Sequence, residues 1–327
     1  GAPKIVTELK QQAGLRAEMA DLRSAGTGAT VPGGHPCQLV AIGAYPPFPT
    51  LTGPEEAEQF VAARRAEGSD YLKVLIEPGG VLGAKLPTLD ADTVAALVAA
   101  AHRRRMLVLA HATEHVSAQL ALDAGVDGLA HIFIDQLPSS RFVDTAVARG
   151  MFVVPTLVVL ENICGQSAAD ELLNDPRIAP YLDAMSRTLL TMNTWPTPLG
   201  APPDFSVALT MVAQLNQAGV SILAGTDAGA SGTVHGASIH HELELLVRAG
   251  LPPSQALTAA TAAPAARFGL TDRGRIAPGL AADLLLVDGD PTVDITTTRN
   301  IVGVWRRGVR FDRSAHRAAV AQQPLNC

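Results

Sequence analysis

The stretch that decides the fold is residues 106–131, MLVLAHATEHVSAQLALDAGVDGLAH. It contains two short apolar runs, and each is followed at once by a histidine, His111 or His131. The Ala- and Leu-rich segment between them, Val116–Ala124, predicts a helix, and Gly125 stands where helices commonly end. A strand, a single helix and a second strand are typical of a parallel βαβ unit.

The same alternation extends along the chain in both directions. The apolar runs are continuous rather than alternating, which predicts strands that helices cover. Predicted strands are Leu22–Thr27, Tyr71–Ile76, Met106–Ala110, Gly128–Ile132, Met151–Val159 and Val220–Ala224. Predicted helices are Ile5–Arg16, Ala91–Arg104, Val116–Ala124, Phe142–Ala148, Glu242–Ala249 and Pro253–Ala262. We therefore expect an α/β fold of the (β/α)8 TIM-barrel type.

The pattern changes near residue 270. The chain has 327 residues, enough for one barrel of about 250 residues and a smaller appendage. We expect the barrel in residues 1–270 and part of a small β-sandwich, with a C-terminal tail, in residues 271–327. Pro176–Pro203 is an irregular insertion containing Trp195, which is typical of a lid or binding loop.

Composition excludes several classes of protein. The net charge is −6 and no basic stripe occurs, which argues against a nucleic-acid partner. No signal peptide or membrane-length apolar run is visible. Three cysteines, Cys37, Cys164 and Cys327, give no disulfide framework, so we expect a cytoplasmic protein. The partner expected is a small-molecule substrate, with no nucleic acid and no membrane. The sequence leaves open whether the protein forms a homo-oligomer.

Four polar side chains lie within or after the predicted strands: Lys73, His111, His131 and Asp227. In a barrel the carboxyl ends of all strands converge on one mouth, so residues distant in sequence can meet there. Two imidazoles, a carboxylate and a lysine make a plausible metal shell. Lys73 would be costly to bury as an ammonium, whereas its carbamate would bind metal as a carboxylate does.

Structural interpretations compete with these functional ones. A single histidine after a strand is usually structural, but two at the same register of adjacent strands favour a site. Asp227 could cap the next helix. The remaining candidates, His115, His240 and His241, are interpreted as helical surface or structural residues, and Cys164 as an inert buried thiol.

The motifs resemble those of the amidohydrolase superfamily, in its imidazolonepropionase- and prolidase-like branch. The resemblance runs from about residue 22 to 310 and rests on Tyr71–Val74, Ala110–Ala112, Leu129–His131, Ala224–Asp227 and Gly274–Gly279. It implies one or two divalent ions, of which Zn²⁺ is expected. It also implies that Lys73 is a carboxylated bridging ligand and that His111 and His131 bind the second metal.

By the same resemblance, Asp227 binds the first metal and shuttles the proton. His35 and His235 fall in loops that similar proteins place near the substrate. One departure concerns the superfamily's HxH pair on the first strand, because this sequence has no HxH. We expect that a segment preceding Gly1 is missing from this chain; a single-metal or inactive variant is the other account.

The function expected is hydrolysis of an amide-like C–N bond by metal-activated water. The substrate class covers N-acyl amino acids, dipeptides, carbamates and cyclic amides. An esterase or lactonase on the same site is an alternative, and a catalytically silent barrel that binds a ligand is another. A dinucleotide-dependent oxidoreductase is disfavoured, because Gly26 and Gly28 lack the third glycine of GxGxxG.

Overall fold

A computed structural model describes residues 3–41, 46–81, 83–192 and 203–322. The helices are α1 (Pro3–Leu15), α2 (Cys37–Ala41), α3 (Ala57–Ala66), α4 (Ala91–Arg103), α5 (His115–Ala124), α6 (Ser140–Ala148), α7 (Leu157–Ile163), α8 (Ala169–Asn174), α9 (Ala184–Thr191), α10 (Phe205–Gln217), α11 (Ser238–Arg248), α12 (Pro253–Ala259), α13 (Ala262–Arg267) and α14 (Arg313–Ala321). The strands are β1 (Leu72–Leu75), β2 (Val108–His111), β3 (Gly128–Ala130), β4 (Phe152–Val154), β5 (Ser221–Ile222), β6 (Leu284–Val287), β7 (Ile301–Arg306) and β8 (Val309–Arg310). Short 3-10 helices cover Pro54–Glu56, Ala179–Tyr181 and Ile295–Arg299.

The chain divides into two compact units. The first contains Gly1–Val154, Pro196–Pro203 and Gln217–Ser221, and the second contains Pro155–Trp195, Asp204–Asn216 and Ile222–Cys327. The residues after 270 therefore lie in the second unit, together with residues from earlier in the chain. The predicted domain boundary at 270 stays a prediction.

A parallel sheet with strand order β1-β2-β3-β4-β5 confirms the predicted α/β class. In the first unit the carboxyl ends of neighbouring strands are level, because Leu75 pairs with His111, and His111 pairs in turn with Ala130. A further parallel bridge joins Ala29 to Val74 of β1. Among the described residues this sheet has five strands, whereas the predicted barrel has eight.

Helices in the first unit cover this sheet with apolar faces. Helix α4 buries Val94, Leu97, Val98 and Ala101, which share one helical face at spacings of three and four residues. The Asp90 side chain caps its start by accepting the Thr93 N–H at 2.8 Å. The βαβ units predicted from the sequence are therefore present, with boundaries that agree within two residues for α4, α5 and α6.

Some predicted elements are wrong. The run Met151–Val159 gives only β4, because Thr156 takes a left-handed backbone conformation with φ 51° and residues from Leu157 onward form α7. Leu22–Thr27 is not a strand; its place beside β1 is taken by the bridge at Ala29. The predicted helix Pro253–Ala262 breaks after Ala259, and α13 begins at Ala262.

The second unit contains a small antiparallel sheet, β6-β7-β8, where a β-sandwich segment was expected. Its strand β6 is apolar but open to solvent: Leu284, Leu285 and Leu286 are 38%, 52% and 51% exposed. In the predicted insertion, residues 176–192 form a 3-10 turn and α9, while Trp195 lies outside the described residues.

Buried charged groups also characterise the second unit. Arg299 is 2% exposed and contacts the carboxylates of Glu171, Asp175 and Glu244 at 2.5 to 3.1 Å. A buried guanidinium needs such partners to offset its desolvation.

None of the helices in the described ranges is both long and apolar enough to span a membrane.

Candidate metal centre

The two strand-end histidines of the first unit lie side by side. His111 is the last residue of β2, and His131 follows β3 directly. Both are buried, and their ring centroids are 4.8 Å apart with planes at 82°. A metal ion lies about 2.0–2.1 Å from a ligating histidine nitrogen. The separation of the two rings is therefore short enough for both to bind one ion.

The electrostatic surroundings of His131 favour its neutral form. Burial lowers the pKa of His131 well below its usual value, and the nearby charges of His111, Lys73 and His35 lower it further. A neutral imidazole keeps the lone pair that a metal ion requires. Lys73 acts on His131 from β1, where it pairs with Leu109 of β2.

His35 contacts His111 in a different way. The two rings are stacked, with centroids 4.8 Å apart and planes only 18° apart. The His35 Nδ1 atom also lies 2.6 Å from the Gln38 side-chain nitrogen. Stacked rings with nearly parallel planes cannot both hold one ion in their planes at bonding distance. His35 is therefore close to His111 but is not placed to share an ion with it.

Glu77 is a buried carboxylate in this cluster that sequence reasoning missed. It follows β1, is 1% exposed, and its Oε2 lies 3.2 Å from His111 Nε2. The same oxygen accepts a hydrogen bond from the Thr113 hydroxyl, and Oε1 accepts the Gly79 N–H at 2.6 Å. Burial alone would raise the pKa of Glu77, but the hydrogen bonds from His111, Thr113 and Gly79 lower it below its usual value.

Asp227 and His235 belong to the second unit, and both are exposed. Asp227 has a left-handed backbone with φ 51°, and its carbonyl accepts a hydrogen bond from the Thr233 hydroxyl at 2.9 Å. His131, at φ 80°, shares this backbone conformation. Strained residues of this kind tend to cluster at functional sites. The roles of Asp227 and His235 stay predictions.

The remaining histidine candidates have structural partners. His115 begins α5, and its ring packs edge-on against Phe133 with centroids 5.0 Å apart. In α11, His240 Nδ1 lies 3.0 Å from the Thr298 hydroxyl, and His241 Nε2 lies 2.7 Å from Glu161 Oε2. His240 and His241 are buried rather than on the surface, which agrees with the structural interpretation.

The donor chemistry of the first unit fits a divalent metal in part. His111 and His131 supply two nitrogens, and Lys73 lies close enough to affect His131 electrostatically. Within the described ranges, however, no group of three or more His, Cys, Asp or Glu side chains is arranged to hold an ion. His111 and His131 are thus the two predicted ligands that the structure places in direct contact.

Comparison with known proteins identifies the family. An imidazolonepropionase from Streptomyces coelicolor is 37% identical over 101 residues, which cover 30% of this chain and 26% of the relative. A solved Xaa-Pro dipeptidase has a TM-score of 0.72 at 23% identity, covering 94% of this chain and 72% of that chain. The solved structure of phenylurea hydrolase B has a TM-score of 0.69 at 21% identity, and the match covers 99% of this chain and 74% of that chain. At these identities the two structures show a common fold alone.

The sequence match to the curated relative is partial, since this chain spans about a quarter of that imidazolonepropionase. The family model, in contrast, matches most of the chain, from residue 28 to residue 310. That range contains the strands β1 to β5, the histidine pair and Glu77. The chain belongs to the amidohydrolase family.

Proposed function

We propose that this hydrolase of the amidohydrolase family depends on a divalent metal and cleaves an amide-like C–N bond in a small molecule. One observation carries the proposal: His111 and His131 are buried at the level ends of neighbouring parallel strands, with ring planes at 82°. Buried imidazoles at the carboxyl ends of parallel strands match the position of active sites in this architecture.

His111 and His131 would hold the metal, with Lys73, in its carboxylated form, and Asp227 as further ligands. A bound Zn²⁺ supplies Lewis-acid polarisation of a carbonyl group and lowers the pKa of water. Burial supports the role of His131 in this assignment, because it lowers the pKa of the imidazole and so weakens proton competition for its nitrogen.

Asp227 would accept the proton of the attacking water and deliver it to the leaving nitrogen. Its exposure is compatible with contact to a substrate. His35 and His235 would donate hydrogen bonds to the substrate. The stacking of His35 on His111 supports this role only by placing His35 beside a proposed metal ligand.

The substrate class proposed is an N-acyl amino acid, dipeptide, carbamate or cyclic amide. Similar proteins named as an imidazolonepropionase, a Xaa-Pro dipeptidase and a phenylurea hydrolase support a C–N bond in a small molecule. An ester or lactone would use the same groups, so both are included in the test.

The test is a substrate panel with Zn²⁺-loaded protein: prolyl dipeptides, N-acyl amino acids, phenylureas, cyclic amides, esters and lactones. We expect turnover of at least one C–N substrate, and its loss in a chelator. Asp227→Asn is expected to lower kcat by about 10²- to 10⁴-fold, the usual contribution of a general acid–base. The matched control is Asp144→Asn, an exposed carboxylate on α6.

His111→Asn tests the metal assignment independently of turnover. We expect weaker Zn²⁺ binding in a competitive chelator titration, whereas His115→Asn, a substitution in α5, leaves binding unchanged. Equal Zn²⁺ affinity in the native protein and His111→Asn would contradict the proposal. Protein that binds no Zn²⁺ and turns over none of the panel would instead support a silent barrel.

A further inference from the structure

Glu77 contacts three hydrogen-bond donors and is shielded from water. The Thr113 hydroxyl and the Gly79 N–H donate to its two oxygens, and His111 Nε2 lies 3.2 Å from Oε2. Its side chain is fully buried. A carboxylate has only acceptors to offer, so a bond between Glu77 and His111 requires the proton on Nε2.

A histidine with its proton on Nε2 has its lone pair on Nδ1. We propose that Glu77 is a positioning residue that holds His111 in this tautomer, so that Nδ1 is the ligand atom in the metal centre. The inference rests on the proposed function. Buried hydrogen-bond partners of this kind fix both the tautomer and the ring orientation of a ligating histidine.

The same carboxylate connects two loops that follow neighbouring strands. Through Oε1 it holds Gly79, in the loop after β1, and through Oε2 it holds Thr113, in the segment after β2. His111 is thus fixed by its strand, by stacking on His35 and by Glu77. Rotation of the His111 ring would remove one of the two donors of Oε2 and leave the Thr113 hydroxyl to donate to this buried oxygen.

Glu77→Gln is the direct test, because it keeps the size of the side chain. All three partners of Glu77 donate, so the amide NH2 of glutamine must face a donor whichever way it is turned. We expect the Zn²⁺ dissociation constant to rise about 10- to 100-fold, as for other lost partners of ligating histidines. Competitive chelator titration measures it.

Glu114→Gln is the matched control. Glu114 Oε1 accepts the Gly80 N–H at 2.6 Å, so Glu114 holds the same loop as Glu77. Among the described residues, Glu114 forms no hydrogen bond with His111. We expect its Zn²⁺ affinity to stay within about twofold of the native value. Equal weakening in both variants would mean that loop anchoring, not the histidine, sets the affinity, and would overturn the inference.

The tautomer itself is measured in the native, metal-free protein. Nitrogen-15 NMR of labelled histidines, with His111 assigned by its loss in His111→Asn, is expected to show the proton on Nε2. A proton on Nδ1 would overturn the inference even if Glu77→Gln failed to fold. If the native protein binds no Zn²⁺, the proposed function fails, while the tautomer is still decided by this spectrum.

Discussion

Arg105 occupies a backbone position that usually belongs to glycine. It follows α4 with φ 56°, and the next residue, Met106, donates its N–H to Ala101, the bond that ends many helices. A residue with a side chain costs about 1–2 kcal/mol in the left-handed region. Glycine avoids this cost, but it loses more conformational entropy on folding, which offsets part of the gain. Arg105→Gly should therefore raise the free energy of unfolding by roughly 0.5–1 kcal/mol.

Gly125 provides the matched control, because it holds the same position after α5 with φ 90°. Its neighbour Val126 donates to Ala121, as Met106 does to Ala101. Gly125→Ala should lower the free energy of unfolding by about 1 kcal/mol in urea unfolding, the opposite sign to Arg105→Gly. Two changes of the same sign would disprove this account of the helix ends.

At this scale the sequence singled out His111 and His131, whose rings the structure brings together, and missed Glu77, which lies beside His111. His111 and His131 stand out because each follows an apolar run at the same register. Glu77 precedes a proline and two glycines, which predicts an exposed turn. Its buried partner Thr113 lies 36 residues later in the chain, and a pattern of neighbouring residues cannot reveal a contact over that separation.

Strand β3 begins with a glycine because β4 presents a large ring beside it. Gly128 pairs with Phe152, and a Cβ on Gly128 would lie 2.5 Å from the Phe152 ring. Phe152 is itself buried. Gly128→Ala should therefore lower the free energy of unfolding by about 1–3 kcal/mol through overpacking.

The pairing can be tested with a second substitution. Phe152→Leu removes the ring edge, so the cost of Gly128→Ala should be smaller in the Phe152→Leu background than in the native protein. Urea unfolding of the four proteins gives this coupling free energy. An additive double variant would show that the ring does not limit the size of residue 128.

Elements were predicted best where strands and helices alternate with clear ends. The exception is the predicted strand Met151–Val159, which ends early and continues as α7. Residues 157–160 are all apolar and buried, so their pattern shows neither the period of a strand nor that of a helix. Thr156 ends the strand by its positive φ, which a β-branched residue rarely adopts. That conformation depends on tertiary structure and leaves no mark in the sequence.

The pH dependence of the whole molecule should reflect buried groups on α11. Burial raises the pKa of Glu242 from 4.5 to about 8. Burial lowers the pKa of His241, but hydrogen bonds to Glu161 and Glu244 raise it more, from 6.5 to about 9. Both groups hold protons that the unfolded chain releases, so the free energy of unfolding should fall as pH rises from 6.5 to 9.

Glu242→Gln should make this pH dependence shallower between pH 6.5 and 8. Removing one titrating group changes the slope by at most about 1.4 kcal/mol per pH unit. The Val158 N–H donates to Glu242 Oε2 at 2.9 Å, and the side-chain oxygen of glutamine can still accept this hydrogen bond. Urea unfolding across this range measures the slope, with the exposed Glu55→Gln as control; parallel curves for all three proteins would contradict the prediction.

At the scale of the molecule, the sequence predicted the parallel sheet and a small β unit near the C-terminal end, which the structure shows as the antiparallel sheet β6-β7-β8. It did not predict the buried contacts of Arg299 with Glu171, Asp175 and Glu244, because these residues are spread over 128 positions along the chain, from 171 to 299. A buried ion network has no local periodicity to reveal it. The eight-strand closure and the first metal position stay predictions.

Strand β6 has a practical consequence for these measurements. Fluorescent dyes that report melting bind to hydrocarbon that water can reach. The leucines of β6 offer such hydrocarbon before any unfolding begins. A dye-based melting curve would start from a bright baseline and hide small shifts, whereas circular dichroism follows the backbone and is free of that background.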